Sequence, residues 1–221
     1  MTPNSRGKPG TSMKRGRLIV FEGLDGAGTT TQASMLRDAL ARERRKVHLT
    51  QEPSRGPVGG LLRLFLERRL TIPPTRAGAE PLSPAMLALL FAADRLDHVA
   101  SEIAPLVRDG WTVVSDRYLL SSLAYQSIDC DRQFVAQINA HAPEPDLTVL
   151  LDVPVTVCRR RIAASRRGLE LFDETRKQEK VRANYLALAK AARRSKRSAI
   201  VVVDGDRPKA VVHEEVKRIV G

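Results

Sequence analysis

The chain has 221 residues and a net charge of +12, with 43% hydrophobic and 4% aromatic residues. That is enough apolar material for one domain with a sizeable aliphatic core, which excludes a disordered chain. No apolar run approaches the roughly 20 residues of a membrane span, so a membrane is not expected as a partner. Cys130 and Cys158 lack metal-ligand or redox spacing, and a reduced, cytoplasmic protein is expected.

In chain order, residues 1–16 combine Pro, Gly, Ser and basic residues without an apolar stretch. They read as a flexible tail and not as a secretory signal. A single domain is expected over 17–221. Short β-branched runs at 17–22, 46–50, 112–115, 147–152 and 199–203 alternate with helical patterns. This is the signature of βαβ units, so the expected fold is α/β: five parallel strands with helices on both faces. The near-continuous apolar character of the strands suits burial on both sides. The helical patterns cover 30–44, 57–68, 84–109, 119–128, 131–140, 154–165, 175–193 and 207–220. Pro105 is expected to kink or divide the third of these, because it removes a backbone donor. Residues 71–84, rich in Pro and Gly, read as a loop.

In an open parallel sheet, ligands bind beyond the carboxyl ends of the strands. Asp25, Glu52, Asp116–Arg117, Asp152 and Asp204 each follow one of the five strands. Five polar groups are therefore expected at one sheet edge.

The first strand-to-helix turn carries a phosphate-binding pattern, Gly23-Leu24-Asp25-Gly26-Ala27-Gly28-Thr29-Thr30, with Thr29 where such loops place a lysine. Small residues at 26, 27 and 28 let backbone N–H groups approach an anion, and the following helix offers its positive end. The Thr30 hydroxyl stands where a Mg²⁺ ligand is expected. The missing lysine costs one hydrogen bond to a charged group, roughly 1.5–3 kcal/mol. Uncompensated, that is about ten- to a few hundred-fold in rate.

The positive charge is concentrated. Residues 159–197 hold fourteen Lys and Arg against four acids. A basic face can track a phosphate backbone, but no zinc finger, aromatic RNA-binding pair or helix-turn-helix pattern accompanies it. The arginines equally suit a small polyphosphate, and nucleic acid is not expected as a partner.

Six segments in order resemble the thymidylate kinase family: FEGLDGAGTTTQ (21–32), QEPSRGPVG (51–59), LLFAADRLDH (89–98), SDRYLLSSLAYQ (115–126), LDVPVTVCRRRIAASRRG…LFDE (151–174) and VRANYLALA (181–189). The resemblance runs over about 17–220 and implies a P-loop nucleoside-monophosphate-kinase fold, with ATP and Mg²⁺ as cofactors and dTMP as acceptor. It further implies that Gly23 to Thr30 cradle ATP and that Arg161 stacks on adenine. Thr30 and Asp116 would hold the metal. Phe91 would stack on thymine, with Arg95 on the base edge and Ser122 close to the base. Tyr125 would pack against the 2′ side of the sugar, and Arg117 would grip the acceptor phosphate. Asp25 would contact the acceptor sugar or its phosphate region, and Glu52 would support the acceptor site. Asp25, Asp116 and Arg117 are the catalytic candidates of the sheet edge. The loop has no arginine, so the catalytic arginines implied are Arg166 and Arg167 in a lid around 160–175. Members of the family are typically homodimers. The alternatives are a weak or inactive nucleotide-binding homologue and a kinase for another monophosphate.

Overall fold

The computed structural model describes residues 15–67, 69–70, 82–165, 173–195 and 199–221. Residues 1–14 of the tail expected over 1–16, most of the 71–84 loop, and Arg166 and Arg167 lie outside the described residues. Five strands form one sheet: β1 (Arg17–Gly23), β2 (Val47–Gln51), β3 (Thr112–Asp116), β4 (Leu147–Asp152) and β5 (Ile200–Asp204). Their order is β2-β3-β1-β4-β5, and all four pairings are parallel. Each expected strand is present to within about a residue, because a parallel strand buried on both faces reads as an unbroken apolar run.

The helices are α1 (Thr29–Arg42), α2 (Pro57–Leu66), α3 (Pro84–His98), α4 (Ala104–Arg108), α5 (Leu119–Tyr125), α6 (Arg132–Ile138), α7 (Val155–Ser165), α8 (Asp173–Ser195) and α9 (Lys209–Val220). Alternation along β1 separates the two faces. Ile19 and Phe21 pack with Ala33, Leu36 and Leu40 of α1 and with Val212 and Val216 of α9. Leu18 and Val20 pack with Ile103, Val107 and Tyr118. On that second side, α5 lies against α8.

The pattern expected as one helix over 84–109 is a helix with a wide turn in it. A π-turn at Val99–Ile103 joins α3 to α4, and Pro105 sits at the start of α4. The expected division is there: the π-turn separates α3 from α4, and Pro105 lies in the first turn of α4. Its missing N–H falls just after a turn whose hydrogen bonds are already offset. The helical pattern over 119–128 is α5 followed by a 3₁₀ turn at Gln126–Ile128.

The order β3-β1-β4 puts β1 in the centre, and it delivers the glycine-rich turn to the middle of the carboxyl edge. The turn depends on backbone that side chains rarely adopt: Gly26 has φ 82° and Gly28 φ 98°. At Gly26 a Cβ would also stand 2.6 Å from the carbonyl oxygen of Cys158, so α7 rests directly on the loop.

Candidate active site

The residues expected at the sheet edge are there, and they are paired. Arg117, directly after β3, holds a left-handed backbone at φ 73°, rare for a residue with a side chain. Its N–H donates to Phe21 O at 2.8 Å. Its guanidinium donates to Asp25 Oδ1 at 2.7 Å, to Gly23 O at 3.2 Å and to Ser121 Oγ at 3.2 Å. It also lies over the Tyr125 ring, 5.4 Å from the centroid. The Tyr125 hydroxyl accepts from the Asp25 N–H at 3.3 Å, and burial pushes that phenol up to about 12.

Glu22 is completely buried beneath this group. It accepts from Tyr118 N at 3.0 Å, from Ser121 N at 3.1 Å, from Ser121 Oγ at 2.6 Å and from Tyr185 Oη at 3.1 Å. It thereby caps α5, whose own N-cap residue offers no side-chain bond. Burial raises its pKa, against the lowering effect of the Ser121 hydrogen bond and the Arg117 charge.

A second buried group lies between β2 and α3. Arg95 and Glu52 have side chains 1% and 3% exposed, and Arg95 Nη2 donates to Glu52 Oε2 at 2.7 Å. The same arginine donates to Tyr118 O and Ser122 Oγ, both at 3.0 Å, and to the side-chain oxygen of Asn139. Ser122 thus holds Arg95. His98 Nδ1 is 3.4 Å from the other Glu52 oxygen, and its Nε2 shares a 2.8 Å hydrogen bond with Thr50 Oγ1. The Nε atom of Arg95 is buried and has no partner among the described residues.

Between these two groups lies a cavity of about 370 Å³, within the usual range of small-molecule sites. Phe91 and Leu87 supply its apolar wall, and Asp25, Glu52, Arg95, Arg117, Ser122 and Tyr125 line it.

On the loop side the groups are less engaged. Thr29 is buried, but its hydroxyl makes no hydrogen bond among the described residues. The Thr30 hydroxyl donates to Asp116 Oδ2, while Asp116 Oδ1 is buried without a partner among the described residues. Gly28 has open space where a Cβ would stand. Arg161 on α7 donates to Ala27 O at 3.3 Å and to Gly205 O at 3.1 Å, bridging the loop to the segment after β5. Asp152 and Asp204 lie at the same edge but are held by arginines. Arg182 grips Asp152 with two bonds of 2.7 and 3.0 Å, and Arg207 stands 3.4 Å from Asp204.

Sequence reasoning therefore named the groups facing the cavity and the loop, and it missed those behind them. Glu22, Tyr185, Asn139 and His98 went unnamed as site residues, as did the Lys177–Asp129 pair at the cavity rim. One signal was available for Glu22: it is the only acid in the strand RLIVFEG and follows four apolar residues.

Comparison with known proteins points to one family. A family model described as thymidylate kinase matches residues 21–216. A probable thymidylate kinase of Pyrococcus horikoshii is 43% identical over 177 residues, which cover 79% of this chain and 83% of that protein. One of Pyrobaculum aerophilum is 39% identical over 208 residues, 92% of this chain and 97% of that protein.

Proposed function

The chain belongs to the thymidylate kinase family, and on that premise we propose that it transfers the γ-phosphoryl group of ATP to dTMP, giving dTDP and ADP. The observation that carries the reading is the cavity beside the glycine-rich turn. It has an aromatic wall and a buried arginine on one side and Arg117 with Asp25 on the other. An aromatic wall beside two arginines suits a pyrimidine base and a phosphate.

In this reading an oxygen of the acceptor phosphate attacks the γ-phosphorus, and the bond from that phosphorus to the β–γ bridging oxygen breaks. Phe91 stacks on the base and Arg95 meets its edge. Tyr125, neutral at physiological pH, closes the 2′ side of the sugar. Arg117 orients the acceptor phosphate, a task suited to a planar fork of donors, and Asp25 and Glu52 hold the two arginines. The backbone of Gly23 to Thr30 cradles the triphosphate, and Arg161 covers adenine. Thr30 and Asp116 would hold Mg²⁺. They are hard oxygen donors, and the orphaned Asp116 Oδ1 is the atom such an ion or its water would satisfy. When bound, the ion neutralises charge on the β- and γ-phosphates. Arg166 and Arg167 are the arginines we assign to the transferring group.

We read the chain as a cytoplasmic homodimer. Leu61, Leu64, Met86 and Leu89 on α2 and α3 are exposed apolar side chains that a second copy would cover. A coupled ATP/Mg²⁺ assay with dTMP, dUMP, UMP, dCMP and AMP tests the function. Turnover should be highest with dTMP. ATP binding without turnover of any acceptor would favour a non-catalytic homologue instead.

A further inference from the structure

Three acids and three bases line the cavity among the described residues, and they pair one to one: Arg95 with Glu52, Arg117 with Asp25, and Lys177 with Asp129. A nucleoside monophosphate brings up to two negative charges into this balanced set. Binding it well requires a cation that can turn from its carboxylate to the newcomer.

The three pairs differ in how firmly each cation is held. Arg95 is buried and donates to four different residues. Arg117 is fixed by a carbonyl, a hydroxyl and a carboxylate. Lys177 has one partner among the described residues, Asp129 Oδ2 at 2.6 Å, and the two side chains are 51% and 44% exposed. Such an exposed pair contributes little net energy, and a lysine ammonium rides on a flexible four-carbon stem. Its base is nonetheless fixed, because the neighbouring Gln178 and Val181 of α8 are buried.

We propose that Lys177 is a mobile anion-binding residue of the acceptor cavity, whose ammonium leaves Asp129 for the phosphate of the incoming nucleoside monophosphate. Asp129 is its resting partner and competes with the acceptor for it. The inference rests on reading the cavity as the acceptor site. The position was invisible in sequence, where Lys177 is one of fourteen basic residues in a solvated segment.

The test is calorimetric binding of dTMP to the full chain and to Lys177→Gln, Asp129→Asn and the double variant. Lys177→Gln should weaken dTMP about tenfold, the scale of one charge-assisted hydrogen bond, and Lys177→Arg should keep most of the affinity. Asp129→Asn should act in the opposite direction, tightening dTMP about threefold by releasing the ammonium. In the Lys177→Gln background that gain should vanish, and thymidine, which lacks the phosphate, should bind all four proteins alike. Weakening by both single variants would overturn the proposal in favour of a structural clamp. Additive effects in the double variant would overturn it in favour of a long-range field, and equal effects on thymidine would remove the phosphate contact. Unchanged binding of a non-hydrolysable ATP analogue reports that each variant is folded. If the wild type binds no nucleoside monophosphate, the functional reading falls as well; dTMP binding indifferent to all the variants overturns Lys177 alone.

Discussion

The two halves of the site are finished to different degrees. On the cavity side, Arg95, Arg117 and Glu22 each have three or four hydrogen-bond partners, and Arg95 and Glu22 are almost wholly withdrawn from solvent. On the loop side, among the described residues, Thr29 makes no side-chain hydrogen bond, Asp116 keeps a buried unpaired oxygen, and Gly28 faces open space. A half whose groups are already paired is rigid before its ligand arrives, and holding a reactant in a fixed pose is most of what phosphoryl transfer asks of a protein. A half with unpaired groups is completed by what binds to it. The two halves should therefore fail differently when altered.

The largest effect should come from Glu52→Ala, which strands the Arg95 charge in the interior. Breaking one side of a buried pair costs about 3–5 kcal/mol, readable by denaturant titration; a loss below about 1 kcal/mol would mean the cavity half is not preorganised. Next is Arg117→Ala. Its kcat/KM for dTMP should fall about a hundredfold while the KM for ATP stays near wild type. Equal damage to both substrates would erase the distinction between the halves.

A third prediction concerns Glu22. Its pKa is raised by burial above the ordinary 4.5, so the folded chain holds this proton more readily than the unfolded one. The group's contribution to stability is complete below pH 4.5 and is lost as pH rises through the folded value. The Tm of the wild type relative to Glu22→Gln should accordingly fall as pH climbs from 4.5 toward neutrality. A flat or rising difference would show that the four donors fully offset burial.

The smallest effect is expected from Thr29→Lys, under about tenfold in kcat in either direction. A gain of several orders of magnitude would show a loop half that is crippled and not merely completed by its ligands.

The fold was largely legible. Five apolar runs gave five strands because both faces of a parallel sheet are covered, and the turn chemistry of 23–30 placed the loop. The residues lining the cavity were legible through the order of the six segments. What escaped was pairing at long range. The partners of Glu22 come from positions 118, 121 and 185, and those of Arg95 from 52, 118, 122 and 139; no periodicity links them. Ser122 illustrates the limit, since its expected place near the base is filled by holding the arginine that lines the cavity. Lys177 shows the converse, a residue whose composition suggested only a solvated face.

The π-turn at Val99–Ile103 acts as a phase adjustment. Upstream of it, Arg95 and His98 point into the site; downstream, Ile103 and Val107 fill the core. An α-helix advances about 100° per residue, so a regular helix through this stretch would carry Glu102, one turn beyond His98, into the inward position that Ile103 holds. Glu102 instead reaches His48, 2.6 Å away at the edge of β2. A single surplus residue thus lets one continuous rod serve two surfaces that are out of step. Removing one residue from 99–102 would make the helix regular and leave Ile103 one turn beyond His98, still facing the core.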